Sequence, residues 1–233
     1  MLDVTVVLLI RHGRTAANAS GVLAGWTPGV ELDERGNEQV AALAQRIEKL
    51  PIAAVVSSPL ERCQQTANAL VSDRTDTPIH LDDRLGEVRY GDWTGQPLKQ
   101  LAKQPLWKTV QAHPSGVVFP GEDGEAMAAM QARSVGAVRE WNTKLGADAL
   151  YVVVSHGDVI KSILADALGQ HLDQFQRIVV DPASLSVVRY GDTRPFVERV
   201  NDTGGSVAAL LPPKRRRSRK KTDDAVVGGG AGA

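Results

Sequence analysis

Two histidines in this chain sit in matching surroundings. Leu8-Leu9-Ile10-Arg11-His12-Gly13 and Val152-Val153-Val154-Ser155-His156-Gly157 share one plan: an apolar run, a polar residue, then His-Gly. Such runs read as strands covered on both faces. Ligands of open α/β sheets bind beyond the carboxyl ends of the strands, so both imidazoles are expected on that edge. A third run, residues 53–57, ends in Ser57-Ser58-Pro59, and Arg62 follows near the start of the next helical pattern. Arg11, His12, Arg62 and His156 thus come from three strand ends and are expected to converge on one pocket. Guanidinium forks match phosphate oxygens, and a helix N-terminus adds further N–H donors. Beside two fixed positive charges the imidazoles are expected to stay neutral, and a neutral imidazole is a competent nucleophile. Gly13 and Gly157 read as room for close approach of a ligand to the backbone. Metal binding is disfavoured: the chain has no HxH, HExxH or CxxC spacing, and two arginines repel a divalent cation. No metal and no other cofactor is expected.

The elements that must place these residues alternate between strand and helix patterns, which predicts an α/β fold: a three-layer α/β/α arrangement with a mostly parallel central sheet. Strands are expected over residues 4–10, 53–57, 79–81, 150–155, 177–181, 184–189 and 196–200, the last two as a hairpin. Asp33 is a good N-cap for a helix running to about residue 50 before Pro51. Pro59 suits the first turn of a helix to about residue 71. Further helices are expected over 122–145 and 158–168, the second stopped by Gly169. Residues 83–121, rich in Gly and Pro, read as an irregular lid-like insertion in which Trp93, Trp107 and Phe119 line a lid or form a small core of their own.

The chain has 233 residues, of which 42% are hydrophobic and 23% charged, so a sizeable core is within reach without metals or disulfides. No apolar run approaches the ~18–20 residues of a membrane span. Cys63 is the only cysteine, which excludes an internal disulfide and points to a reducing, cytoplasmic setting. The net charge of zero conceals an asymmetry. From Pro212 onward seven basic residues face two acidic ones, leaving the tail at +5 and the preceding body at −5. An acidic body argues against a nucleic-acid-binding core. Anionic-polymer binding is expected, if anywhere, weakly through the tail at Lys214, Arg215, Arg216, Arg217, Arg219, Lys220 and Lys221. Residues 1–202 read as one domain, and 203–233 as a disordered, basic, Gly/Ala-rich appendage.

The segment Arg11-His12-Gly13-Arg14-Thr15-Ala16-Ala17-Asn18 resembles the RHGxTxxN signature of the histidine phosphatase superfamily, whose fold is phosphoglycerate-mutase-like. Ser57-Ser58-Pro59-Leu60-Glu61-Arg62-Cys63-Gln64-Gln65-Thr66 resembles its SSxxxRxxQT element. Leu85-Gly86-Glu87-Val88-Arg89-Tyr90-Gly91-Asp92-Trp93-Thr94-Gly95 resembles its LxExxxGxWxG segment, and Ser155-His156-Gly157 its second histidine. The resemblance implies a small-molecule phosphomonoester as substrate and His12 as the nucleophile that becomes phosphohistidine. It further implies that Arg11, Asn18, Arg62 and His156 bind the phosphate, that Glu87 is the general acid and base, and that the chain forms a homodimer. Phosphatase and mutase branches differ in the insertion. The mutase branch carries an Arg-Arg pair there, whereas residues 98–130 here contain no arginine, and Pro120-Gly121-Glu122 resembles an element of the phosphatase branch. The resemblance therefore implies a metal-independent phosphatase in preference to a phosphoglycerate mutase.

Overall fold

A computed structural model describes residues 4–204 and Gly228. In chain order its elements are β1 (Thr5–Arg11), α1 (Ala16–Ser20), α2 (Glu34–Ile47), β2 (Ile52–Ser57), α3 (Glu61–Leu70), β3 (Ile79–Leu81), α4 (Leu98–Leu101), α5 (Pro105–Ala112), α6 (Met127–Leu145), β4 (Leu150–Ser155), α7 (Gly157–Ala167), β5 (Leu185–Tyr190) and β6 (Pro195–Asp202). The expected basic cluster at 214–221 lies outside the described residues.

The strands form one sheet in the order β3-β2-β4-β1-β5-β6. The first four are mutually parallel, and β5 and β6 complete the sheet as an antiparallel hairpin. Side chains alternate between the two faces. Val7 and Leu9 of β1 and Tyr151 and Val153 of β4 join the apolar cluster under α6 and α7. Leu8, Ile10, Val152 and Val154 point the other way, into the cluster under α2 and α3. Both faces are covered, which explains why these strands are continuously apolar. The three-layer α/β expectation is therefore met.

Local chemistry sets the helix boundaries. Asp33 caps α2 as expected, its Oδ1 accepting from the Gly36 N–H at 2.8 Å. Val40, Leu43 and Ile47 line its buried face. The helix ends at Ile47 rather than near residue 50, because the Arg74 guanidinium takes the carbonyls of Ile47, Glu48 and Leu50 at 2.6–2.8 Å. Pro59 lies before α3 rather than in its first turn: Leu60 is the cap residue, and the Pro59 carbonyl accepts from the Gln64 side chain.

Two further expectations need correction. The helix predicted from residue 122 starts at Met127, because Gly124 and Ala126 are held in isolated bridges to Tyr90 and Val118. The strand predicted at 177–181 is absent. A 3₁₀ helix covers Leu172–Arg177, and the extended stretch that follows spends its carbonyls elsewhere, Val180 on the Arg11 guanidinium. The insertion's aromatics are core residues: Trp93, Trp107 and Phe119 are at most 5% exposed, lie 5.4–6.1 Å apart between ring centroids and join the apolar cluster of Val7 and Leu9.

Candidate active site

Register brings the two His-Gly pairs together. In the parallel pair of β1 and β4, Arg11 stands opposite Ser155. The next backbone bond runs from His12 N to Ser155 O at 3.0 Å, so His12 and His156 leave the same sheet edge side by side, ring centroids 5.2 Å apart. β2 joins them: Ser57 pairs with Val154, and Ser58 N bonds Val154 O. Arg62, in the first turn of α3, then reaches across both rings.

Arginine can only donate, so its contacts assign the protons. Arg62 Nε donates to His12 Nε2 at 3.3 Å, and His12 Nδ1 lies 2.8 Å from an acceptor, the Gly13 carbonyl. The His12 proton is therefore on Nδ1 and its lone pair on Nε2. Arg62 Nη2 donates to His156 Nδ1 at 3.2 Å, which puts the His156 proton on Nε2, directed at Ser58 Oγ at 2.8 Å. Arg62 Nη2 also bonds the Gly25 carbonyl at 2.9 Å, while its Nη1 is buried without a hydrogen-bond partner among the described residues. An orphaned, buried, charged donor is costly unless an anion meets it.

Burial decides the protonation states. Both imidazoles are held well below the usual histidine range, first by burial and then by Arg62. Arg11 is fully buried and stays cationic, its Nη1 donating to Val180 O at 2.9 Å. Glu87 is 4% exposed, with its Oε2 3.9 Å from His156 Nδ1 and its Oε1 accepting from Val88 N. Burial, reinforced by the charge of Asp158, pushes the Glu87 carboxyl up to about 7. A carboxyl titrating near neutrality can give a proton and take it back.

Arg11, His12, Arg62, His156 and Glu87 therefore meet, as expected. Asn18 closes the first turn of α1: its Oδ1 accepts from Thr15 N and Oγ1. Gly13 also serves another purpose than ligand approach. A Cβ there would lie 2.7 Å from the Gly36 carbonyl and 2.8 Å from Val40 Cγ2, so its bareness admits α2.

Several contributors went unassigned in the sequence. Thr66 accepts from Gly13 N at 3.1 Å and Gln65 accepts from Leu32 N at 2.8 Å, together anchoring the two loops beside His12. Ser58 orients His156. Asp158, the residue after Gly157, is 1% exposed, and its Oδ2 accepts from Tyr90 OH at 3.0 Å. Gly228, 217 positions from Arg11, accepts from Arg11 Nη2 at 3.2 Å and donates its N–H to Asp158 Oδ2 at 2.9 Å. For Ser58, Gln65 and Thr66 the signal was their place in the SSxxxRxxQT element; for Gly228 there was none.

The comparisons agree with this geometry. The family model of the histidine phosphatase superfamily (branch 1) matches residues 7–203, and the chain belongs to that family. Similar relatives include phosphoserine phosphatase 1 of Hydrogenobacter thermophilus, 28% identical over 84% of this chain and 92% of the relative. Glucosyl-3-phosphoglycerate phosphatase of Mycolicibacterium vanbaalenii is 32% identical over 72% and 76%. A probable phosphoglycerate mutase of Yersinia enterocolitica is 30% identical over 80% and 86%. Among solved structures, Bacillus stearothermophilus YhfR superposes with a TM-score of 0.78 at 25% identity, covering 85% of this chain and 97% of that one. Among the described residues no helix is long and apolar enough to cross a membrane.

Proposed function

We propose that this chain is a phosphatase that hydrolyses small-molecule phosphomonoesters through a covalent phosphohistidine on His12. One observation carries the reading: His12 Nε2 holds the lone pair of a neutral imidazole and accepts from the cationic Arg62, with Arg11, His156 and Glu87 around it. The phosphoryl oxygens lie among Arg11, Arg62 and the second imidazole, where fixed donors oppose charge developing in the transition state. Nε2 forms a bond to phosphorus as the ester P–O bond breaks. Protonated Glu87 gives its proton to the leaving alkoxide, releasing the alcohol. The resulting carboxylate then takes a proton from water, whose oxygen attacks phosphorus as the P–N bond breaks. Inorganic phosphate leaves, and Glu87 is again protonated.

The lack of any arginine between residues 98 and 130 favours water over a second substrate oxygen as acceptor. Trapping the intermediate tests the proposal. Enzyme mixed with a radiolabelled ester and quenched in alkali retains label, which acid then removes, and His12→Ala retains none. Labelling that persists in His12→Ala refutes the assignment. Feeding 3-phosphoglycerate with bisphosphoglycerate tests the mutase reading: free phosphate as the sole product excludes it, and formation of the 2-isomer establishes it. Cys63, the single cysteine of the sequence, leaves no internal disulfide, which supports the cytoplasmic setting of this reading.

A further inference from the structure

Gly228 comes from the far end of the chain, yet its peptide groups sit on the catalytic machinery. Its carbonyl takes the Nη2 donor of Arg11, and its N–H takes the Oδ2 acceptor of Asp158. The Arg11 side chain is one of the phosphoryl donors of the proposed reaction. One further feature selects glycine at this point. Its φ is +76°, a left-handed conformation costly for residues with a side chain. A Cβ there would meet the movable tip of Leu23, 2.9 Å from Cδ1, so the backbone conformation and not the space is what favours glycine. Composition agrees: residues 225–233 read Ala-Val-Val-Gly-Gly-Gly-Ala-Gly-Ala, with nothing larger than valine.

We propose that Gly228 is a tethered competitor of the substrate: its carbonyl and N–H hold Arg11 and Asp158 and must leave before a phosphomonoester can occupy the pocket. The proposal rests on the phosphatase reading. A ligand attached to the same chain acts at a high effective concentration. The fraction of molecules it occupies lowers apparent affinity for everything else that needs Arg11. Asp158 accepts the N–H, so the occupant held by this clamp is a peptide or another group pairing an acceptor with a neighbouring donor.

The test uses the full-length chain. In Gly228→Val alone, Gly229 or Gly230 could slide into the vacated position, so the variant replaces all three with valine. Two quantities are measured: KM and kcat for an aryl phosphate, and the Kd of inorganic phosphate by calorimetry. The expected result is a fall of about fivefold or more in both KM and Kd, with kcat within twofold of the parent. A synthetic peptide of residues 225–233, added to the variant, should restore the parental KM as a competitive inhibitor. Unchanged or raised KM and Kd overturn the proposal, a rise meaning that the tail completes the site. If neither protein releases phosphate but the variant binds it more tightly, the phosphatase reading fails and the tethered competitor stands.

Discussion

Glu87 offers the sharpest test of the proposed mechanism, because its burial bears on both the acid role and the pH at which it would act. Burial is the main cause of its raised carboxyl, and Asp158 adds to it, giving a value of about 7. The first chemical step needs the acid form, so kcat/KM for an alkyl phosphate should hold level below neutrality and fall with slope −1 above it. By pH 9 the loss is about a hundredfold, tenfold per unit beyond the pKa. No acid limb is expected near pH 6, because both imidazoles are held neutral well below the usual histidine range. Glu87→Gln removes the alkaline limb and lowers kcat by roughly 10²–10⁴ for the alkyl ester. A nitrophenyl ester, whose leaving group needs little protonation, should lose much less. The assay is continuous phosphate release over a buffer series at constant ionic strength. A kcat/KM that stays flat to pH 9, or a limb that survives in Glu87→Gln, refutes the assignment of Glu87 as the acid.

Other perturbations separate positioning from packing. Arg62→Lys keeps the charge but loses the fork that spans both rings, and kcat should fall by about 10²–10³, as for loss of one transition-state donor; a loss below threefold would show that the fork is dispensable. Gly36→Ala forces a Cβ into the Arg14 backbone and should destabilise the fold by about 1–3 kcal/mol, read from denaturant midpoints. Trp107→Ala removes a 5%-exposed ring from the core and should cost about 3–5 kcal/mol in chemical denaturation. Because His12 and His156 have depressed values in the folded state, their contribution is complete above the unfolded pKa of about 6.5 and drains away as pH falls. The double variant His12→Gln/His156→Gln should therefore lose less Tm than the parent between about pH 7 and pH 5.

The sequence reveals most where local pattern and burial coincide. β1 and β4 are buried on both faces, so their apolar runs are continuous, and the residues closing them form the site. Glu87 is harder to read: a loop carboxylate looks like a solvated charge, and only its 4% exposure, created by neighbours far along the chain, makes it an acid near neutrality. The stretch 177–181 looks like a strand because its apolar residues are buried, with Ile178 at 7% and Val180 at 2% exposed. Its carbonyls, however, serve Arg11 and a turn, and no periodicity reports such an allegiance. Gly228 is the extreme case, since a glycine in a Gly/Ala run carries no local sign of a partner 217 positions away.

The placement of Arg11 opposite Ser155 bears on how the enzyme comes into being. The two imidazoles are separated by 144 positions and become neighbours only when β4 docks beside β1. Loop-closure entropy opposes that long-range pairing, so it requires the chain through β4 to be present. A nascent chain is thus inert until its fourth strand has emerged, and in a refolding experiment the return of turnover would time the closing of the sheet.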